Sequence, residues 1–141
     1  MTRQTIADPQ TFSPAQREEY EGTVRALKMT PRADGALGGP FDAWLLNPEL
    51  AKRLRDLGVF LWDGTSLDRS LVELAISITG RQWESNFEWA AHAPRAVQHG
   101  IPQSVIDDIR EGRRPQGTPE QELIYDVCTA IAIGHRLPMP L

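Results

Sequence analysis

The stretch Asp68–Gly100, DRSLVELAISITGRQWESNFEWAAHAPRAVQHG, constrains the fold more than any other part of the chain. Leu67, Leu71, Leu74, Ala75 and Ile78 recur at helical spacing. That pattern predicts a strongly amphipathic helix, which Thr79-Gly80 loosens or ends. A second helix is expected over residues 82–99, kinked by Pro94 just past His92 and stopped by Gly100. Almost every ionisable side chain set among apolar neighbours lies here, Glu73 on the first helix and Ser85, Glu88 and His92 on the second. At about 100° per residue, Ser85, Glu88 and His92 fall within roughly a 60° arc, so a hydroxyl, a carboxylate and an imidazole are predicted to share one face.

The rest of the chain reads as further helices punctuated by glycine and proline. Ser13 as N-cap and Pro14 at the first helical position predict a helix over residues 14–28. Residues 1–12 are polar and are expected to form a flexible arm. The segment 30–40 holds Pro31, Gly35, Gly38, Gly39 and Pro40, so a loop is expected, with Arg32 its one cation. Connectors of that length are often functional. Residues 41–46 and 48–57 should form short helices, the second capped by Asn47-Pro48 and ended by Gly58. Val59–Trp62 has no partner strand elsewhere and reads as a helix continuation or a buried connector, before a turn at 63–66. Helices over residues 103–111 and 119–134 follow, the last capped by Thr118 with Pro119 at its first position. His135 would favour that helix's C-terminal dipole. The expected architecture is all-α, one domain over residues 1–141 with a helical core at 41–134.

Composition narrows the classes of function. A chain of 141 residues, 40% hydrophobic and 24% charged, is ordinary for a globular domain. A net charge of −4 with no local Lys/Arg cluster argues against a nucleic-acid partner. No apolar run approaches a membrane span, and the N-terminus lacks a signal-peptide core, so no membrane partner is expected. Cys128 is the single cysteine, which excludes an internal disulfide and a CxxC redox pair and predicts a reducing, cytoplasmic setting.

Glu88 and His92, four residues apart, admit three readings. One is a structural ion pair on a helix surface. A second is an acid/base site, since Trp83, Phe87, Trp89, Ala90, Ala91 and Ala93 make the helix apolar around most of its circumference and burial brings both groups toward neutrality. A third is a metal site drawing on Glu88, His92 and His99, which lacks a second carboxylate–histidine motif to complete it, so no metal is expected. Trp83 and Trp89 read as core or interface residues that could also wall a pocket. Cys128, in an apolar stretch, reads as a small core hydrophobe.

The runs GGPFDAWLLNPELAKRLRDLG and LDRSLVELAISITGRQWESNFEWAAHAPRAVQHGIPQSVIDDIREGRRP resemble the carboxymuconolactone decarboxylase family, related to the alkylhydroperoxidase D proteins. The resemblance covers about residues 30–131. The redox branch of that family carries Glu, eleven residues, then Cys-x-x-Cys-x-x-x-His; here Glu73, eleven residues, then Ser85-x-x-Glu88-x-x-x-His92 keep the spacing with both cysteines replaced. Disulfide chemistry needs two thiols, so a peroxidase-linked role is disfavoured. The resemblance implies an alkylhydroperoxidase D-like helical bundle, apparently short at its C-terminus, that forms a homo-oligomer and uses no cofactor. It implies decarboxylation of a small carboxylated lactone or ring compound. His92 or Glu88 would supply the proton, Ser85 would support them, and Glu73 would orient His92 or relay a proton. Arg32 or Arg81 would hold substrate carboxylates. The alternative is a non-catalytic oligomeric binding or assembly protein that retains the fold.

Overall fold

The computed structural model describes residues 8–134; most of the N-terminal arm, His135 and the tail lie outside the described residues. The described chain is all-α, with seven α-helices and no strand. After a 3₁₀ turn at Pro9–Thr11 come α1 (Pro14–Leu27), α2 (Phe41–Trp44), α3 (Pro48–Asp63), α4 (Arg69–Gln82), α5 (Asn86–Gln98), α6 (Gln103–Arg110) and α7 (Pro119–Gly134). Among the described residues no helix is long and apolar enough to cross a membrane. The chain divides between Thr65 and Ser66 into two compact units.

In the first unit α3 packs against α1 and α2. A capping box starts α1: Ser13 Oγ accepts from the Gln16 N–H at 3.3 Å, and Gln16 Oε1 accepts from the Ser13 N–H at 3.0 Å. What α1 buries is polar, Glu19 and Thr23. Arg55 of α3 donates to Glu19 Oε2 at 2.9 Å, and the Thr23 hydroxyl donates to Oε1 at 3.1 Å. The Arg55 guanidinium occupies the space that a Cβ on Gly22 would fill. The 30–40 loop turns inward because the Asp42 carboxylate accepts from the Leu37 and Gly38 N–H groups, each at 2.8 Å, while Tyr20 donates to the Gly35 carbonyl at 2.8 Å. Ala36 and Leu37 are buried as a result, as are Leu45 and Ala51.

Two expectations fail in this unit. The helix expected over 41–46 is a single turn, because the Asp42 side chain is committed to the preceding loop and Pro48 opens a new helix behind Asn47, whose Oδ1 accepts from the Leu50 N–H at 3.2 Å. Gly58 does not end α3, which continues to Asp63. A glycine stops a helix by taking a left-handed conformation, and Gly58 has no positive φ. Val59–Trp62 is therefore helix, and Phe60 and Leu61 on it are exposed rather than part of a buried connector.

In the second unit α4 is the central element and packs against α5, α6 and α7. Leu74 and Ile78 of α4 are fully buried against Ala93 and Ala96 of α5, Val105, Ile106 and Ile109 of α6 and Tyr125 of α7. Each of those two side chains contributes roughly 2 kcal/mol of transfer free energy. The Asp68 carboxylate caps α4 by accepting from the Ser70 N–H at 2.8 Å. Thr118 and Gln121 cap α7 reciprocally, at 3.3 and 3.2 Å.

The boundary between α4 and α5 departs from expectation. Gly80 does not break α4, which runs on to Gln82. Its role is close approach: a Cβ at position 80 would stand 3.0 Å from Glu88 Cβ and 3.3 Å from the Trp89 backbone nitrogen. The helix is stopped by Glu84, left-handed at φ 52°, in a Schellman motif. The Ser85 N–H donates to the Gly80 carbonyl at 2.8 Å and the Glu84 N–H to the Arg81 carbonyl at 3.2 Å. Gly100 ends α5 in the same way, with Ile101 N–H on the Ala96 carbonyl and Gly100 N–H on Val97, both at 3.0 Å. Helix α5 begins at Asn86, not 82, and passes through Pro94 without ending.

Candidate active site

Glu73, on α4, has no exposed surface. It faces α5 because Gly80, two turns further along α4, lets the two helices meet closely. Both of its oxygens are engaged. Arg69, one turn earlier on the same helix, places Nε at 2.8 Å and Nη2 at 2.7 Å from Oε1. His92 of α5 places Nδ1 at 2.6 Å from Oε2. Burial alone pushes the Glu73 carboxyl up, but the hydrogen bonds from His92 and Arg69 outweigh it and hold the group below its ordinary value. Glu73 is therefore an anion, and an anion only accepts, so the hydrogen on His92 Nδ1 points to it.

The other ring nitrogen of His92 is Nε2. It faces Glu88 Oε2 at 3.4 Å, an ion-pair distance rather than a tight hydrogen bond. Glu88 lies one turn before His92 on α5, as the i,i+4 spacing requires. The His92 side chain is only 7% exposed, whereas that of Glu88 is 35% exposed. Glu88 is thus the more accessible of the two to an outside molecule. It lines an open cleft of about 390 Å³ with Ala75, Ile76, Thr79, Gly80, Trp83 and Ser85. Arg69–Glu73–His92–Glu88 forms one continuous series of contacts from the helix pair to that cleft.

No family model, curated protein or solved structure matches the chain. The cluster is therefore read from its own geometry.

Of the residues singled out in the sequence, Glu73, Glu88 and His92 come together directly. Ser85 lines the cleft with Glu88, by a different route from the helical face expected of it. It is the N-cap of α5, with extended backbone at φ −79° and ψ 94°, and its side chain makes no capping hydrogen bond. Trp83 stands at the rim, 65% exposed, and is not a core residue. Trp89 packs partly against the core and, with Arg81, lines a neighbouring cleft. Arg32 belongs to the first unit, where its guanidinium lies against Gly38. His99 is the exposed C-cap residue of α5. Among the described residues no three His, Cys, Asp or Glu side chains are grouped to hold a metal ion. Burial raises the Cys128 thiol above its ordinary value, and its Sγ lies 3.9 Å from the Ala75 carbonyl.

Arg69 is the residue that sequence reading missed. The signal was present: it stands four positions before Glu73, the spacing at which an arginine and a carboxylate meet on a helix.

Proposed function

We propose that the chain is a cofactor-independent acid/base enzyme that decarboxylates a small carboxylated lactone or ring compound, in the manner of carboxymuconolactone decarboxylases. The observation that carries this reading is the contact series Arg69–Glu73–His92–Glu88 ending on a cleft. A buried anion fixes the orientation of an imidazole, and the imidazole addresses a carboxyl group that is one-third exposed, which is the arrangement general acid–base catalysis needs. The spacing of Glu73, Ser85, Glu88 and His92 that resembles the family supports the same reading.

In the proposed reaction the bond between a ring carbon and a carboxylate carbon breaks. Its electron pair passes into the adjacent carbonyl or conjugated system as an enolate, and carbon dioxide leaves. Glu88, in its acid form, delivers a proton to the carbanionic carbon. It recovers one from His92 Nε2 or from water at its exposed edge, so one proton is taken up for each carbon dioxide released. Ser85 supplies a hydroxyl beside Glu88 to the developing negative oxygen. Glu73 and Arg69 are positioning residues that hold His92 with Nε2 toward the cleft.

The test is carbon dioxide release from a panel of carboxylated lactones, with deuterium from D₂O incorporated at the vacated carbon. Turnover by the intact chain that disappears in His92→Asn and in Glu88→Gln supports the proposal. Turnover that survives both substitutions removes the cluster from the mechanism.

A second reading, a non-catalytic oligomeric assembly protein, is favoured by one observation. Trp83 at the cleft rim and Leu123, Ile131 and Ile133 of α7 are exposed apolar side chains. Such surface fits a homo-oligomer under either reading. Sedimentation that shows a monomer at micromolar concentration removes the assembly part of both.

A further inference from the structure

The cleft beside the acid cluster has chemistry of its own. It encloses about 500 Å³ and is lined by Gly80, Arg81, Glu84, Ser85, Asn86, Trp89 and Arg110. Arg81, in the last turn of α4, donates from Nε to the Arg110 carbonyl at 2.8 Å, which fixes its guanidinium against the end of α6. Among the described residues Arg81 forms no ion pair. The Arg110 guanidinium stands 5.9 Å from the centre of the Trp89 ring and meets Asp107 only at 3.4 Å. Two of the three ionisable residues lining this cleft are therefore cationic, Glu84 being the third.

A guanidinium presents paired N–H donors that match the two oxygens of a carboxylate. An indole ring beside a guanidinium offers a flat, polarisable surface on which a conjugated body stacks. We propose that this cleft binds the carboxylate of a small planar organic acid between the Arg81 and Arg110 guanidinium groups, with its conjugated body against Trp89. Gly80 and Ser85 line this cleft and the Glu88 cleft alike, so the far end of the ligand extends past them toward Glu88. The binding stands without the proton-transfer reading; only the direction of the ligand's far end rests on it.

The experiment titrates the whole chain with benzoate and, separately, with inorganic phosphate, following tryptophan fluorescence. The expected result is a saturable change with benzoate that vanishes in Trp89→Phe. Affinity should fall at least tenfold in Arg81→Gln and in Arg110→Gln, and Arg81→Lys should recover part of the loss. Arg110→Gln leaves the backbone carbonyl that Arg81 uses, so it reports on binding even if Arg81→Gln fails to fold. Change that does not saturate, or that both glutamine variants retain, overturns the proposal. Phosphate binding as tightly as benzoate overturns the planar-acid assignment and leaves a general anion site. Benzoate binding is read without turnover, so its loss with decarboxylation intact overturns this inference alone. Turnover indifferent to the Glu88 and His92 substitutions overturns the reaction and leaves the binding.

Discussion

Glu73 Oε2 and His92 Nδ1 stand 2.6 Å apart across two different helices, both side chains almost wholly removed from solvent. A full carboxylate in that position is tolerable only because Arg69 takes its other oxygen. Folding and the proposed chemistry thus meet on the same atoms.

Glu73→Gln keeps the shape of the side chain and removes its charge. Arg69 then loses the charge of this carboxylate and His92 faces an amide. Stability of the second unit should fall by about 3 kcal/mol, the usual cost of breaking a buried pair. Urea denaturation followed by circular dichroism measures it, and a change below about 1 kcal/mol would contradict the role given to the pair.

The pH dependence follows from the same carboxyl group. Burial pushes Glu73 up, and the hydrogen bonds from His92 and Arg69 more than reverse that, leaving it below its ordinary value. The unfolded chain therefore binds this proton more tightly than the folded one. The stabilisation is complete above the ordinary glutamate range, at about pH 4.3, and is lost as pH falls through the lowered value. Thermal melts between pH 7 and pH 3 should show a steeper acid loss in the native chain than in Glu73→Gln; parallel curves would refute the linkage.

Glu88→Gln should separate activity from stability. Its side chain is one-third exposed and its contact with His92 is long, so the melting temperature should barely move. The turnover number on a confirmed substrate should drop by about 10²–10⁴-fold, the range for removing a general acid. His92→Asn should lose as much activity and, being buried beside Glu73, lose stability as well.

Gly80→Ala tests the close approach of α4 and α5. The added methyl meets Glu88 Cβ and the Trp89 backbone, and backbone cannot swing aside as a long side chain can. A destabilisation of about 1–3 kcal/mol is expected. Because Glu88 itself must move, activity should fall too. A variant with native stability and native turnover would show that the helices have slack there.

In the first unit, Gly22→Ala places its methyl on Arg55 Nη1. Arg55 must then withdraw from Glu19, leaving a carboxylate that is 7% exposed without its cation. A loss of about 3 kcal/mol is expected, read as an earlier unfolding of the first unit. Gly58→Ala is the control: a Cβ there meets nothing within 4 Å, and a slight stabilisation should result.

How far the sequence could be read follows from which physical signals are local. The starts of α1, α3 and α7 were legible, because Ser13, Asn47 and Thr118 cap through side chains a few residues away, whereas α5 was expected four residues too early. The helix ends read at Gly58 and Gly80 were wrong. Gly80 and Gly58 look like Gly100, yet only Gly100 is left-handed, while a glutamate does that work at Glu84. A glycine tells of missing bulk, and whether the fold uses that as a turn or as room for a neighbour depends on contacts far along the chain. The pairing of Glu88 with His92 was visible as an i,i+4 spacing. Joining Glu73 to them across nineteen positions required the family-like spacing, since helical periodicity says nothing about which two helices meet. Ser85 was placed on a helical face by a wheel that does not apply to it, because the helix begins one residue later. The division after Thr65 left no mark beyond the turn read at 63–66, of which Asp63 proves to be helical.

The two halves of the acid cluster answer to different demands. Arg69 and His92 both meet the buried Glu73 carboxylate, and a lineage that lost any one of the three would inherit a poorly folding chain. Glu88 and Ser85 sit at the edge of a cleft, where a change of residue leaves the interior intact. A descendant that abandoned the proposed reaction would therefore drift first at positions 85 and 88, and keep Arg69, Glu73 and His92 long afterwards.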